Sequence, residues 1–154
     1  MAKQYVVTRT ISIAAPPERI QPLISDFRKW VAWSPWEDLD PDLQRSYSGA
    51  EQGEGAKYAW DGNKKAGRGN MTIVGDSPGT VEVDLEFEKP FSSRSVIDFT
   101  LRPEGDTTTV QWQMTGDYSL LTRIFTVIKS MDSMIGPDFE KGLSQLKTQA
   151  EATT

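Results

Sequence analysis

The sequence contains neither cysteine nor histidine. Without thiols, the chain can form no disulfide, no thiolate nucleophile and no cysteine-based zinc or iron–sulfur site. Without imidazole, it can form no Ser-His couple, no histidine-ligated haem and no ordinary zinc site. Any acid–base chemistry would therefore use carboxylates, lysine or tyrosine, and we expect neither a metal ion nor a cofactor.

Long hydrophobic runs are also missing, because no apolar stretch approaches the ~20 residues that span a membrane. The start, MAKQYVVTRTISI, alternates like a strand and lacks the apolar block and cleavage site of a signal peptide. We therefore expect a cytoplasmic protein with no integral membrane segment. The net charge of -5 and the pI near 4.8 argue against a nucleic-acid partner. A length of 154 residues is typical of one domain, which we expect over residues 1–154.

The longest helical pattern covers residues 130–150, where apolar side chains recur at steps of three and four. These are Met131, Met134, Ile135, Phe139, Leu143, Leu146 and Ala150. Gly142 lies on the same stripe and predicts a point of close approach to the rest of the core. Because the stripe keeps its phase across Gly136-Pro137, we expect one helix there; the alternative is a helix that starts with Pro137 in its first turn. A further helical period covers residues 120–128.

The middle of the chain predicts an antiparallel meander, because short alternating runs are separated by turn signals such as Asp61-Gly62-Asn63. The predicted strands are 5–13, 43–48, 56–60, 67–74, 80–88, 93–102 and 107–115. In the 80–88 run, valine, leucine and phenylalanine alternate with acids, which indicates one buried face and one solvated face.

Two short helices are expected between the first two strands. Pro16-Pro17-Glu18 opens the first one, with proline and an early acid suited to a helix N-terminus, and Pro22 keeps it short. The second covers residues 26–33 and starts with Asp26 as an N-cap. Tryptophans recur at equal spacing through this second helix and beyond it, at Trp30, Trp33 and Trp36. They either plug one end of the core or form a wall of a ligand pocket.

The order of these elements predicts a curled antiparallel sheet with the C-terminal helix laid across its concave face. The space between sheet and helix is either packed with side chains or left as an apolar cavity. Methionines at positions 131 and 134 and strand glycines at positions 67 and 69 favour a cavity, although methionine is also an ordinary gap-filler and strand glycines often mark bulges.

Three stretches resemble the polyketide cyclase/dehydrase and lipid-transport-like family: APPERIQPLISDFRKWVAWSPW, YAWDGNKKAGRGNMTI and SMDSMIGPDFEKGLSQLK. This family belongs to the START-related helix-grip superfamily, also called SRPBCC. The resemblance covers essentially the whole chain and implies an α+β helix-grip fold, in which six or seven antiparallel strands wrap around a long C-terminal helix. It also implies a deep apolar pocket for lipids, sterols or polyketides, but no single reaction, because the superfamily contains carriers, receptors, cyclases and chaperone-activating domains.

We therefore expect a small hydrophobic molecule as the partner. The predicted ligand-binding residues are Trp33, Tyr58, Trp60, Met71, Phe87, Phe99, Trp112, Met114, Met131, Met134, Ile135 and Phe139. A cyclase or dehydratase using the same cavity is the first alternative, and a chaperone-activating interaction module is the second. A binder needs one or two polar anchors, a catalyst needs converging titratable groups, and an interaction module needs an exposed apolar patch.

Tyr58 is the leading candidate for a polar or catalytic role, because it shares a strand face with Ala56 and Trp60 and its hydroxyl is expected to reach the cavity. Other titratable groups are expected to be structural: Asp26 as a cap, Glu37 and Asp38 in a polar turn, Arg9 and Arg68 in solvent. Lys64-Lys65 would suit an anionic head group, but a solvated hairpin tip is the simpler interpretation, because no phosphate-binding motif surrounds them.

Overall fold

The computed structural model describes residues 4–37, 40–89, 92–117 and 131–152. Within these ranges the chain forms one curved, fully antiparallel sheet of seven strands. The strands are β1 Gln4–Ile13, β2 Gln44–Gly49, β3 Ala56–Asp61, β4 Arg68–Ser77, β5 Thr80–Lys89, β6 Ser93–Glu104 and β7 Thr107–Asp117. Their spatial order is β1-β7-β6-β5-β4-β3-β2, so the first strand closes the meander by pairing with the last. The predicted strands and the predicted α+β helix-grip architecture are confirmed.

Alternation of side chains decides which face of the sheet is buried. In β5, Val81 and Val83 are fully buried while Glu82 and Asp84 are exposed. Successive strand residues point to opposite faces, so this pattern fixes the register as well as the face. The apolar face of the sheet is therefore the one that meets the helices.

Two short helices connect β1 to β2, as expected. Helix α1 covers Pro17–Ser25 and contains Pro22, and it is followed by a 3₁₀ helix, Phe27–Ala32. Asp26 caps this second helix, because its Oδ1 accepts a hydrogen bond of 3.0 Å from the backbone N–H of Arg28. The second helix is thus a 3₁₀ helix rather than an α-helix, with residues three apart aligned on one side.

The C-terminal helix, α2, covers Met131–Ala152 and continues through Pro137, so one helix is present rather than a new helix at the proline. Phe139, Leu143 and Leu146 of its apolar stripe are buried, and α2 packs mainly against β1 and also contacts β7. The predicted helix over residues 120–128 lies outside the described residues. No helix in the described ranges is long and apolar enough to cross a membrane.

Candidate functional site

A largely apolar cavity of about 250 Å³ lies between the sheet, the 3₁₀ region and α2. Aromatic and aliphatic side chains form most of its wall, which also carries one carboxylate. The lining residues are Trp30, Ser34, Trp36, Glu37, Leu43, Tyr58, Trp60, Ala66, Met71, Leu85, Phe87, Ile97, Trp112, Met114 and Ile135. The arrangement is that of a small-molecule site, with apolar walls and a few polar groups.

Part of the predicted ligand-binding set lies on this wall. The predicted residues that line the cavity are Tyr58, Trp60, Met71, Phe87, Trp112, Met114 and Ile135. The lining residues absent from the predicted set are Trp30, Ser34, Trp36, Glu37, Leu43, Ala66, Leu85 and Ile97. Alternation along β5 and β6 carried a signal for Leu85 and Ile97, whereas Leu43, which was predicted to begin a strand, and Ala66 both lie in loops.

Three predicted residues lie behind the wall instead of on it: Trp33, Phe99 and Phe139 are fully buried and do not line the cavity. Trp33 is enclosed by the rings of Trp30 and Trp112, with centroid distances of 4.6 and 5.6 Å. Its indole N–H donates a 2.8 Å hydrogen bond to the backbone carbonyl of Leu23. Of the three evenly spaced tryptophans, the two outer ones thus face the cavity, and the middle one packs behind Trp30 and Trp112.

Met134 was predicted as one of the ligand-binding residues of the cavity, and its position in the structure contradicts this prediction. Its side chain is 40% exposed and does not line the cavity. With 3.6 residues per turn, position 134 lies about 140° around the helix from Phe139, which marks the buried side of the helix. The neighbouring Ile135 is the residue of this turn that reaches the cavity. The side chain of Met131 lies outside the described part of the structure.

Gly69 positions one wall of the site through the neighbouring strand. It pairs directly with Trp60, and a Cβ at Gly69 would lie 2.8 Å from the indole of Trp60. The space left by this glycine is thus occupied by an aromatic ring rather than by the cavity. The indole N–H of Trp60 donates to the carbonyl of Ala66 at 3.0 Å, and its ring meets Phe87 edge to face at 5.4 Å.

Loop residues close the same end of the cavity. Asp40 accepts hydrogen bonds from the backbone N–H groups of Asp42 and Asn63, at 2.9 and 2.8 Å, and so joins the two loops that carry the wall residues Leu43 and Ala66. The Lys64-Lys65 pair lies on the exposed outside of this turn.

Among the polar groups, Glu37 differs most from its predicted position. It was expected in a solvated turn, but its side chain is only 7% exposed and it lines the cavity. The Tyr58 hydroxyl donates to its Oε1 at 3.1 Å, and Nε of Arg45 donates to its Oε2 at 2.7 Å. Arg45 also donates to the backbone carbonyl of Glu37 at 3.4 Å. A carboxylate is thus held in an apolar wall by one phenol and one guanidinium, which offset its desolvation.

The electrostatics of this group keep Tyr58 protonated. Burial raises the pKa of Tyr58 well above its usual range, and the negative charge and hydrogen bond of Glu37 raise it further. Burial and the same carboxylate also raise the pKa of Tyr47, whose ring contacts Tyr58. Tyr58 is therefore a neutral hydrogen-bond donor at physiological pH, committed to Glu37, and it cannot act there as a general base.

The other titratable candidates lie outside the site. Asp26 is a helix cap, Arg68 is half exposed beside Glu88, and Arg9 holds Asp132 of α2. Asp38 lies outside the described residues. Among the residues that are described, no group of three or more carboxylates is placed to hold a metal ion.

Comparison with solved structures gives the same fold at low sequence identity. Protein MLL2253 from Mesorhizobium loti is 16% identical with a TM-score of 0.70, covering 97% of this chain and 99% of that one. The Aha1 dimer protein from Colwellia psychrerythraea is 16% identical with a TM-score of 0.61 over 97% and 99%. DynU16, from the dynemicin biosynthetic locus, is 14% identical with a TM-score of 0.65, over 95% of this chain and 47% of that one.

At these identities the solved structures support the fold alone. No curated protein matches the sequence. The family model described as polyketide cyclase / dehydrase and lipid transport matches residues 4–151, nearly the whole chain. The chain therefore belongs to the polyketide cyclase/dehydrase and lipid transport family.

Proposed function

We propose that this protein binds a small hydrophobic molecule, of the lipid, sterol or polyketide-like kind, in the cavity between its sheet and α2. The observation that carries the proposal is the cavity itself: about 250 Å³ of space walled mainly by aromatic and aliphatic side chains. A packed core of this size has few voids larger than a water molecule, so an apolar space of this volume is unusual without an occupant.

The size of the cavity favours a compact ligand. Small-molecule pockets usually enclose roughly 300 to 1,000 Å³, so the described cavity lies near the lower limit. Aromatic rings on several sides, among them Trp36, Trp60 and Phe87, suit a planar ring system through stacked and edge-to-face contacts.

A neutral fluorescent probe such as N-phenyl-1-naphthylamine tests the proposal. Titration should give saturable binding at about one site per chain with micromolar affinity, and native mass spectrometry of the purified protein should detect a co-purifying hydrophobic molecule. Non-saturable fluorescence, together with a protein that purifies without any bound molecule, would contradict the proposal.

Two adjacent positions on α2 provide a matched pair of variants. Ile135 lines the cavity and Met134 points to solvent. Ile135→Trp should fill the cavity and weaken probe binding at least tenfold, because the new indole occupies the ligand's space. Met134→Trp adds a similar ring outside the cavity and should leave the affinity unchanged. Equal effects of the two substitutions would place the probe elsewhere.

A cyclase or dehydratase remains the second candidate, and the pairing of Glu37 with Tyr58 in the cavity wall favours it over the interaction module. In a dehydration, the Glu37 carboxylate would take the α-proton of a bound β-hydroxy ketone and return it to the departing hydroxide, so that a C=C bond forms and water leaves, while Tyr58 keeps the carboxylate oriented. Conversion of a β-hydroxy ketone by the wild type and its loss in Glu37→Gln would support catalysis. Unchanged substrate after long incubation at saturating protein would leave binding as the function.

A further inference from the structure

Glu37 places a carboxylate, paired with Arg45, on the wall of an apolar cavity. The cationic partner of this carboxylate, Arg45, keeps 28% of its side-chain exposure and is not a lining residue. Among the described residues, no lysine or arginine lines the cavity. A ligand in the cavity would therefore contact the carboxylate directly, whereas the guanidinium lies on the far side of the carboxylate from the ligand.

The hydrogen bonds of Glu37 leave it able to accept more. An ionised carboxylate has about four acceptor positions on its two oxygens. Tyr58 uses one on Oε1, and Nε of Arg45 uses one on Oε2. Because the Tyr58 proton is directed at Glu37, the wall offers a ligand an acceptor here rather than a donor. A ligand hydroxyl or N–H pointing at this part of the wall would be satisfied, whereas a ligand carboxylate would face a like charge at low dielectric constant.

Resting on the proposed function, we propose that Glu37 is the specificity-determining residue of the cavity, selecting neutral ligands with a hydroxyl or N–H group and rejecting carboxylic acids such as free fatty acids. Tyr58 is a positioning residue in this scheme, because it holds the carboxylate rather than the ligand. This differs from the sequence-based expectation that the Tyr58 hydroxyl itself anchors the ligand.

Three bicyclic compounds of nearly equal size test the selection at pH 7: 2-naphthol, 2-methoxynaphthalene and 2-naphthoate. Affinities are measured by isothermal titration calorimetry or by displacement of the neutral probe. The wild type should bind 2-naphthol at least tenfold more tightly than 2-naphthoate, and several-fold more tightly than the methyl ether, which keeps the oxygen but lacks the donor.

Glu37→Gln removes the charge but keeps an acceptor oxygen for Tyr58 and for the ligand. It should bring the affinities for 2-naphthol and 2-naphthoate to within about threefold, mainly by improving naphthoate binding. Glu54→Gln, at an exposed position outside the cavity, removes the same charge and should leave the wild-type ratio intact. Tyr58→Phe removes the group that orients the carboxylate, so it should weaken 2-naphthol binding without improving 2-naphthoate binding as Glu37→Gln does.

The outcomes separate this inference from the function on which it rests. If none of the three compounds binds and the neutral probe does not bind either, the proposed function fails. If all three bind the wild type equally, the cavity binds ligands but Glu37 does not select them, and this inference alone is overturned. Loss of selectivity in Tyr58→Phe with full selectivity in Glu37→Gln would assign the anchor to the phenol instead. If Glu37→Gln does not fold, the wild type alone tests the inference: equal affinities for 2-naphthol and 2-methoxynaphthalene would overturn it.

Discussion

The indole of Trp112 and the phenyl ring of Phe139 lie face to face, with ring centroids 4.2 Å apart and planes 8° from parallel. Trp112 belongs to β7, the second strand of the sheet in spatial order, and Phe139 belongs to α2, so this contact joins the sheet to the long helix. Trp112 also lines the cavity, whereas Phe139 lies behind it. The stack therefore fixes the position of one cavity wall relative to the helix that covers the sheet.

Removal of the Phe139 ring should destabilise the fold strongly. Phe139→Ala deletes a fully buried phenyl group and leaves a void beside Trp112, so we expect a loss of about 3 to 5 kcal/mol in the free energy of unfolding. Urea unfolding followed by tryptophan fluorescence measures it. Met134→Ala, on the exposed side of the same helix, should cost well under that amount. A loss below about 1 kcal/mol for Phe139→Ala would contradict the packing described here.

Gly142 is a point of close approach between α2 and the sheet, as the sequence predicted. A Cβ at this position would lie 2.8 Å from Cζ3 of Trp112 and 2.9 Å from Cδ of Pro35, both parts of rigid rings. Gly142→Ala should therefore destabilise the protein, even though alanine gains roughly 1 kcal/mol of helix propensity over glycine. The measurement is the urea midpoint at constant m-value.

A strand glycine provides the control for this substitution. A Cβ at Gly75 would lie 3.6 Å from Cβ of Glu82, which is ordinary van der Waals contact, and its φ is not positive. Gly75→Ala should accordingly be neutral or slightly stabilising. A stabilising Gly142→Ala would mean that α2 does not approach Trp112 as closely as described.

Most of the architecture followed from periodicity, because most of the strands and the long helix α2 bury one face. The two-residue alternation of 80–88 and the three-and-four spacing of 130–150 are local signals that survive in the fold. The error at Met134 has the same origin. The three-and-four spacing also includes apolar side chains at the edge of the buried face of α2, and only the packing of α2 on the sheet decides which of them are covered.

The polar part of the site was beyond local sequence signals. Glu37 stands in the run WEDLDPD, which looks like a solvated acidic turn, and its burial depends on partners 8 and 21 residues away in two different strands. The buried position of Trp33 was also beyond local signals, because the equal spacing of the three tryptophans does not show which of them is enclosed by other rings. Such contacts are set by how the 3₁₀ region packs on the sheet, which no local pattern encodes.

Glu82 should lower stability when it ionises. It pairs across the sheet with Asp98, and although its side chain is exposed, some desolvation on the sheet, followed by the charge of Asp98, raises its pKa above the usual carboxyl value. A raised folded-state pKa means that stability is complete below the unfolded-state pKa of about 4.3 and is partly lost as pH rises through the folded-state pKa. Glu82→Gln should therefore be more stable than the wild type at pH 7, and the difference should shrink towards pH 4. A pH-independent difference would rule out ionisation as its cause.

The N-terminal turns of α2 are tied to β1 by Arg9, whose guanidinium donates to both carboxylate oxygens of Asp132 at 2.8 and 2.9 Å. The hydrogen bond from Arg9 lowers the pKa of Asp132 below its usual value. A lowered folded-state pKa gives stability that is present above the unfolded-state pKa of about 3.9 and is lost as pH falls through the folded-state pKa.

Asp132→Asn should lower the urea midpoint slightly at neutral pH and low salt. Because the pair is exposed, about 1 M NaCl should remove most of that difference. Glu140→Gln is the matched control, since Glu140 lies 3.8 Å from Nε of Arg9 and should contribute less. A difference for Asp132→Asn that is unchanged by both acid and salt would show that the aspartate acts by packing rather than by charge.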